Sequence, residues 1–346
     1  MRPMSELRTV EWVGGHVRMI DQTRLPDRLV YVSLRDYRQV SKAIEDMVVR
    51  GAPAIGVAAA MGMALAAQAN RKRDRDRVMQ QLEVAAKSLR ASRPTAQNLF
   101  WAVERVLRVA HEASPNSDVA NLVVEEARRM AEEDVQANLS MGRYGADLLA
   151  DGDQVLTHCN TGTLATVSFG TALAPMRTAV RQGKRVTVVA TETRPRLQGA
   201  KLTTYELMSD KIPVMLIVDG AAGYVIRKGM VQKVIVGADR ITRRYVANKV
   251  GTYLIALAAQ ASNVPFYVAA PSSTFDLRRD GSDIEIEERD AKEVTHINGK
   301  RIPARGVPVY NPAFDLAPVE LVKGFITEKG IFSADELTAE LARIQG

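Results

Sequence analysis

Residues 154–158 read QVLTH, 185–191 RVTVVAT, 213–219 PVMLIVD, 233–238 KVIVGA and 265–270 PFYVAA. Each is a short apolar run rich in β-branched residues. Each ends in a polar or glycine-containing loop, and helical periodicity alternates with the runs. Strands that are apolar on both faces belong to a parallel sheet covered by helices on both sides, so the pattern predicts a Rossmann-like, doubly wound α/β domain. Ligands of such sheets bind beyond the carboxyl ends of the strands. The loops there read THCNTGT, TETRPRLQG, VDGAAG, GADRIT and APSSTFD, a concentration of reactive side chains at one edge that points to an enzyme. None contains GxGxxG or GxxxxGKS, so dinucleotide and P-loop binding lack their fingerprint.

Upstream, LRTVEWVGGHVRMID (7–21) alternates apolar and polar residues around Gly14-Gly15, and LVYVSL (29–34) reads as a further strand. These predict a small antiparallel sheet with a hairpin turn. Helical patterns follow over 40–49, 54–69, 77–89, 96–113 and 118–149, broken at Pro94 and Pro115. The expected organisation is an N-terminal domain of small sheet and helices over 1–130 and a catalytic domain over 131–346. The run 54–69 is read as too short and too weakly apolar to span a bilayer.

Bulk properties narrow the function. The chain has 346 residues, 46% hydrophobic and 25% charged, as in an ordinary globular protein. A net charge of +7 suits an anionic ligand, but equally a generic basic surface. The densest basic run, RKRDRDR (71–77), alternates with acids and lacks aromatics, which favours a solvated helix end over a nucleic-acid site. One cysteine excludes an intrachain disulfide. The four histidines, His16, His111, His158 and His296, are widely separated, so no metal and no cofactor is implied. The N-terminal residues lack the apolar core of a secretory signal, giving an expectation of a cytoplasmic protein with no membrane and no nucleic-acid partner.

Four loops carry the candidate chemistry. Cys159 sits after a strand at the expected start of a helix near Thr163, where unpaired amides would stabilise a thiolate; a buried apolar role competes evenly. Asn160, Thr161, Gly162 and Thr163 offer amides and hydroxyls to a phosphate, or simply form a capped turn. Asp239 follows KVIVGA's strand, where apolar neighbours would desolvate a carboxyl and hold it protonated as a general acid, unless it merely caps a helix. Arg50, in VRGAPAIG, and Arg93, in SRPTAQNL, each precede a proline at a helix start and could converge on one phosphate.

Beyond these loops, LRTVEW, DQTRLP, VRGAPAIG, SRPTAQNL, LTHCNTGTLAT, ETRPRLQGAKLTTYEL, VIVGADRI, ANKVGTY, PFYVAAPSSTFD, IEIEER and VYNPAFDLAP occur in order along nearly the whole chain. In this the sequence resembles the methylthioribose-1-phosphate isomerase family, which is related to the ribose-1,5-bisphosphate isomerases and to the regulatory subunits of translation initiation factor eIF2B. The resemblance implies a homodimeric enzyme of methionine salvage acting on a small-molecule sugar phosphate. It implies Asp239 as general acid and Cys159 assisting the transfer step, with Arg50, Gly51, Ala52, Arg93, Gln198, Asn248 and Lys249 binding substrate. The chemistry fits: an aldose 1-phosphate is a locked acetal, so an acid must open the ring before hydrogen moves from the second carbon to the first.

The chain departs from the family pattern in a short ITRRYVANK loop after Asp239, in VDGAAG, in SFGTALAP, and in Arg196, which follows ETRP where the family carries an aromatic residue. These leave 5-deoxyribose 1-phosphate and ribose 1,5-bisphosphate as alternative substrates. A metabolite-sensing regulatory subunit is the alternative of another class.

Overall fold

A computed structural model describes residues 3–94, 96–276, 280–281, 284–297, 299–336 and 339. Thr95 of SRPTAQNL and both ends of the expected domains, residues 1, 2 and 340–346, lie outside the described residues. The chain opens with β1 (Val10–Val13), β2 (His16–Ile20) and β3 (Tyr31–Leu34), an antiparallel sheet whose first turn is Gly14-Gly15, both at positive φ. Five helices follow: α1 (Tyr37–Glu45), α2 (Ala52–Ala69), α3 (Arg75–Ser92), α4 (Gln97–Glu112) and α5 (Val119–Ala146). Asp36, Asp74 and Asp118 cap α1, α3 and α5 by accepting main-chain N–H groups of the first turn. RKRDRDR thus straddles a capped helix start.

Helix α2 is buried on nearly every side, packed by α1, α3, α4 and α5. Its length and hydropathy are in fact sufficient for a membrane span. The reading that it is too short and too weakly apolar is therefore corrected: its neighbours, not its composition, make it a core helix. The expected domain boundary at residue 130 falls inside α5, which packs on α2 and α4 and also on the next helix, α6 (Leu173–Arg181).

The remaining elements are β4 (Gln154–Thr157), preceding α6, then β5 (Thr187–Thr191), α7 (Thr204–Ser209), β6 (Val214–Ile217), α8 (Ala222–Arg227), β7 (Lys233–Val236), β8 (Arg240–Ile241), β9 (Tyr245–Lys249), α9 (Thr252–Ala261) and β10 (Phe266–Ala269). They end with α10 (Lys292–Thr295), β11 (His296–Ile297), β12 (Lys300–Arg301), β13 (Phe314–Pro318), β14 (Gly324–Thr327) and β15 (Gly330–Phe332). The main sheet runs β15-β14-β10-β7-β4-β5-β6, parallel except for β15. All five strand runs read from the sequence lie in it.

Alternate strand residues feed two cores. Leu156, Val234, Val236, Val268 and Phe325 pack with α8 and α9, whereas Val155, Ile235, Tyr267 and Ile326 pack with α5, α6 and α7. Both faces are covered, as the continuous apolar runs require. Strand order reverses between β4, which leads to β5 and β6, and β7, which leads to β10 and β14. This switch point opens a crevice between the loops after β4 and β7.

Candidate active site

The loop after β4 carries Cys159 and the loop after β7 carries Asp239, so the switch point brings both to one cavity of about 70 Å³. Arg50, Gly51, Ala52, Arg93, Asn160, Thr161, Gln198, Asn248 and Lys249 line it too. An outer recess of about 290 Å³ continues from it, sharing Gly51, Ala52, Arg93, Asp239 and Phe314 and adding Gln97, Arg240 and residues 284–286.

Gly51 sets the floor. Its φ is +92°, and an added Cβ would lie 2.3 Å from the Ala165 backbone, so only glycine fits where the chain turns into α2. No side chain caps this N-terminus. Arg50 and Arg93 flank it, each with an Nε that finds no hydrogen-bond partner among the described residues. Arg93 ends α3 instead of opening α4. Burial lowers the Arg50 guanidinium to about 10 and lowers Arg93 as well; in both, neighbouring arginines add to the effect.

Asp239 donates its N–H to Ala247 O at 2.9 Å, tying the loop to β9. Desolvation raises its carboxyl, as expected, but the neighbours are not the apolar ones anticipated. Lys249, Arg93, Arg289 and Arg50 oppose the shift. Lys249 donates to Ala313 O at 2.5 Å and lies 4.8 Å from the Phe314 ring centroid; burial lowers its pKa. Asn248 donates to Thr252 Oγ1 at 3.0 Å, and the Gln198 Oε1 is buried without a hydrogen-bond partner among the described residues.

Two expectations about the Cys159 loop need correction. Only a single 3-10 turn, Thr163–Ala165, forms where a helix was expected, and α6 starts at Leu173. Phe169 and Gly170, both at positive φ, interrupt the path between them. The thiol therefore gains no helix dipole, and burial raises its pKa against the pull of Lys249 and Arg50. Burial thus favours the protonated thiol at Cys159, and no helix dipole favours the thiolate.

The phosphate loop is also only half as expected. Thr163 and Leu164 donate their N–H groups to the Glu206 carboxylate at 2.7 and 3.2 Å, and Asn160 Nδ2 donates to it at 2.8 Å. A Cβ on Gly162 would meet Glu206 Oε2 at 2.2 Å. The anion position at Gly162 and Thr163 is therefore filled by the chain's own carboxylate. Only Asn160 Oδ1 and Thr161 Oγ1 remain buried without a hydrogen-bond partner among the described residues.

Several residues escaped the sequence reading. Arg177, fully buried on α6, donates to Glu206 at 2.7 Å and lies 2.6 Å from Asp210, bracing the Cys159 loop from below. His158 takes Val250 O at 2.9 Å through Nε2 and Thr191 Oγ1 at 2.6 Å through Nδ1. This arrangement suits a neutral ring, and burial lowers its pKa. Thr193 Oγ1 in turn accepts the Cys159 N–H at 3.0 Å. Arg289, in the family string IEIEER, also lines the cavity. Arg196, in contrast, does not line this cavity and donates to Glu293 at 2.6 Å, though its charge still acts on Arg50 and Arg93.

The profile of the Initiation factor 2 subunit family matches residues 48–334. Over 325 residues the chain is 50% identical to the methylthioribose-1-phosphate isomerase of Thermosipho africanus (strain TCF52B), an overlap of 93% of this chain and 94% of that protein. This chain belongs to the methylthioribose-1-phosphate isomerase family. Among solved structures it is similar to 5-methylthioribose 1-phosphate isomerase from Pyrococcus horikoshii OT3, at 42% identity and a TM-score of 0.91, covering 97% of this chain and 96% of that one. It is also similar to a chain solved as translation initiation factor eIF-2B, subunit delta, from A. fulgidus, at 49% identity and a TM-score of 0.85, covering 95% and 96%. Membership of this family makes the chain an aldose–ketose isomerase, and the switch-point cavity is where the family motifs meet.

Proposed function

We propose that this cavity converts 5-methylthioribose 1-phosphate into 5-methylthioribulose 1-phosphate in methionine salvage, using no cofactor. The observation that carries the reading is the approach of Asp239 and Cys159 to one small cavity, from the two strands flanking the switch point, among Lys249, Arg50 and Arg93. Arg50, Arg93 and the uncapped amides of Gly51 and Ala52 hold the phosphate. Gln198, Asn248 and Lys249 hold the sugar hydroxyls, with Asn160 and Thr161 beside them.

Asp239, kept protonated by desolvation, gives its proton to the ring oxygen as the bond from that oxygen to the first carbon breaks. The first carbon is left as an oxocarbenium stabilised by its phosphate ester oxygen. Hydride then moves from the second carbon to the first, while the hydroxyl proton on the second carbon passes to the Asp239 carboxylate and restores the acid. Burial disfavours a thiolate at Cys159, which weakens the thiol as the base that an enediolate route would need and favours the hydride route. Cys159 assists the transfer as a polarisable neighbour that keeps water from the cation.

Arg196 bears on the choice of sugar. Its pairing with Glu293 leaves it committed, which weighs against a second phosphate and for an uncharged substituent on the fifth carbon. Phosphorus and proton NMR on 5-methylthioribose 1-phosphate, 5-deoxyribose 1-phosphate and ribose 1,5-bisphosphate in D2O tests all of this. Expected are preferred turnover of the methylthio sugar, no deuterium at the first carbon, and collapse in Asp239→Asn and Cys159→Ser. Preference for the bisphosphate would overturn the substrate, and deuterium incorporation the hydride route.

The enzyme pairs as a homodimer through the free edge of β6. That strand ends the sheet, and Leu216, Val218, Tyr224 and Leu254 leave an apolar surface on and beside it.

A further inference from the structure

Four cations, Arg50, Arg93, Lys249 and Arg289, line the inner cavity, against one carboxylate, Asp239. Arg289 is the one whose place is hardest to explain as structure. Its side chain is only 8% exposed. It is delivered by a segment pinned along residues 311–313, where Arg289 N donates to Asn311 O at 2.9 Å and Ala313 N donates to Glu287 O at 2.8 Å. Its acceptors are poor for a buried guanidinium. Nη1 reaches the sulfur of Met47 at 3.4 Å, a weak acceptor, and Nη2 reaches Glu287 Oε2 at 3.3 Å. Nε lies 3.1 Å from Glu287 Oε1 but outside hydrogen-bond geometry. Glu287 is shared: Arg93 Nη2 stands 4.0 Å from its Oε2. Glu287 therefore holds two guanidinium groups loosely, with Glu293 Oε1 a further 4.0 Å from Arg289 Nη1, beside the N-terminus of α2.

We propose that Arg289 is a substrate-binding residue that closes on the phosphate together with Arg50 and Arg93, and that Glu287 holds Arg289 and Arg93 in place until the phosphate arrives. This rests on the reading of the cavity as a sugar-phosphate site. A phosphate dianion offers several acceptor oxygens that planar guanidinium groups can grip bidentately, which Met47 and a shared carboxylate do not. Its charge also relieves the repulsion that Arg289 exerts on Arg50 and Arg93. Glu287 then plays a competing part, since it presents the same guanidinium groups with an internal anion.

The two residues should consequently act with opposite signs. Steady-state kinetics on 5-methylthioribose 1-phosphate, with calorimetric titration of inorganic phosphate into the full-length protein, tests this for Arg289→Gln, Arg289→Lys and Glu287→Gln. Arg289→Gln is expected to raise KM, and the phosphate dissociation constant with it, by about 10- to 100-fold, more than it lowers kcat. Arg289→Lys should recover part of the loss, and Glu287→Gln should tighten inorganic phosphate several-fold. Unchanged phosphate binding in Arg289→Gln, or a fall confined to kcat, would overturn the proposal, as would weaker phosphate binding in Glu287→Gln. Because the titration needs no turnover, it still decides the role of Arg289 if the wild type fails to isomerise the sugar, a result that would count against the substrate reading alone.

Discussion

At the scale of single residues, the proposed general acid Asp239 is a carboxyl buried in a basic cavity. Desolvation lifts its pKa, and the surrounding cations temper the rise. The reaction needs the protonated form, so kcat/KM should fall as pH rises through this raised pKa. Asp239→Asn should lower kcat by about 10²–10⁴-fold and leave a residual rate without that alkaline limb. A pH–rate series on both proteins checks this. Asp134 carries the corresponding prediction for stability. It accepts N–H groups from Val167 at 2.7 Å and Asn138 at 3.0 Å, yet burial raises it from 3.8 to about 7. The folded chain then binds this proton more tightly than the unfolded chain does. Its contribution to stability is therefore complete below about pH 4 and is lost as pH rises through about 7. Urea unfolding across that window should show declining stability in the wild type and a flatter profile in Asp134→Asn.

At the scale of elements, the loop after β4 is shaped by α6 and α7. Glu206 on α7 accepts from Thr163, Leu164, Asn160 and Arg177, all within 3.2 Å. Arg177 and Glu206 are almost wholly buried, so removing one partner leaves a buried charge short of its counter-ion. Glu206→Ala is expected to cost about 3–5 kcal/mol in denaturant unfolding, with Arg177 retaining only Asp210. A loss below 1 kcal/mol would show that the loop holds itself. Five strands of the main sheet, β4, β5, β6, β7 and β10, were legible because a parallel sheet demands unbroken apolar runs. The short β14 and β15 and the β8-β9-β13 sheet were not, since YVANK ends in two polar residues that the cavity uses. The helix expected at Thr163 stops after one 3-10 turn because Phe169 and Gly170 take positive φ before α6 begins.

At the scale of the whole molecule, the unpaired edge of β6 and the apolar side chains beside it are a liability in a monomer. The proposed two-fold pairing across this face would bury it in both copies. Light scattering should give about 76 kDa, twice the 37.9 kDa of one chain, and Leu216→Asp with Leu254→Asp should halve that mass. A wild-type mass of one chain would refute the pairing.

By itself the sequence determined the layered α/β architecture, the strands that flank the switch point and the loops that carry Cys159 and Asp239. Those features depend on local periodicity and on the order of strands, which neighbouring residues encode. Tertiary structure alone decided the burial of Cys159, the loss of Gly162 and Thr163 to Glu206, the pairing of Arg196 with Glu293 and the arrival of Arg289 beside Arg93. Each of these depends on desolvation and on charges far apart in the chain, and a electrostatic field has no counterpart in the spacing of residues along a sequence.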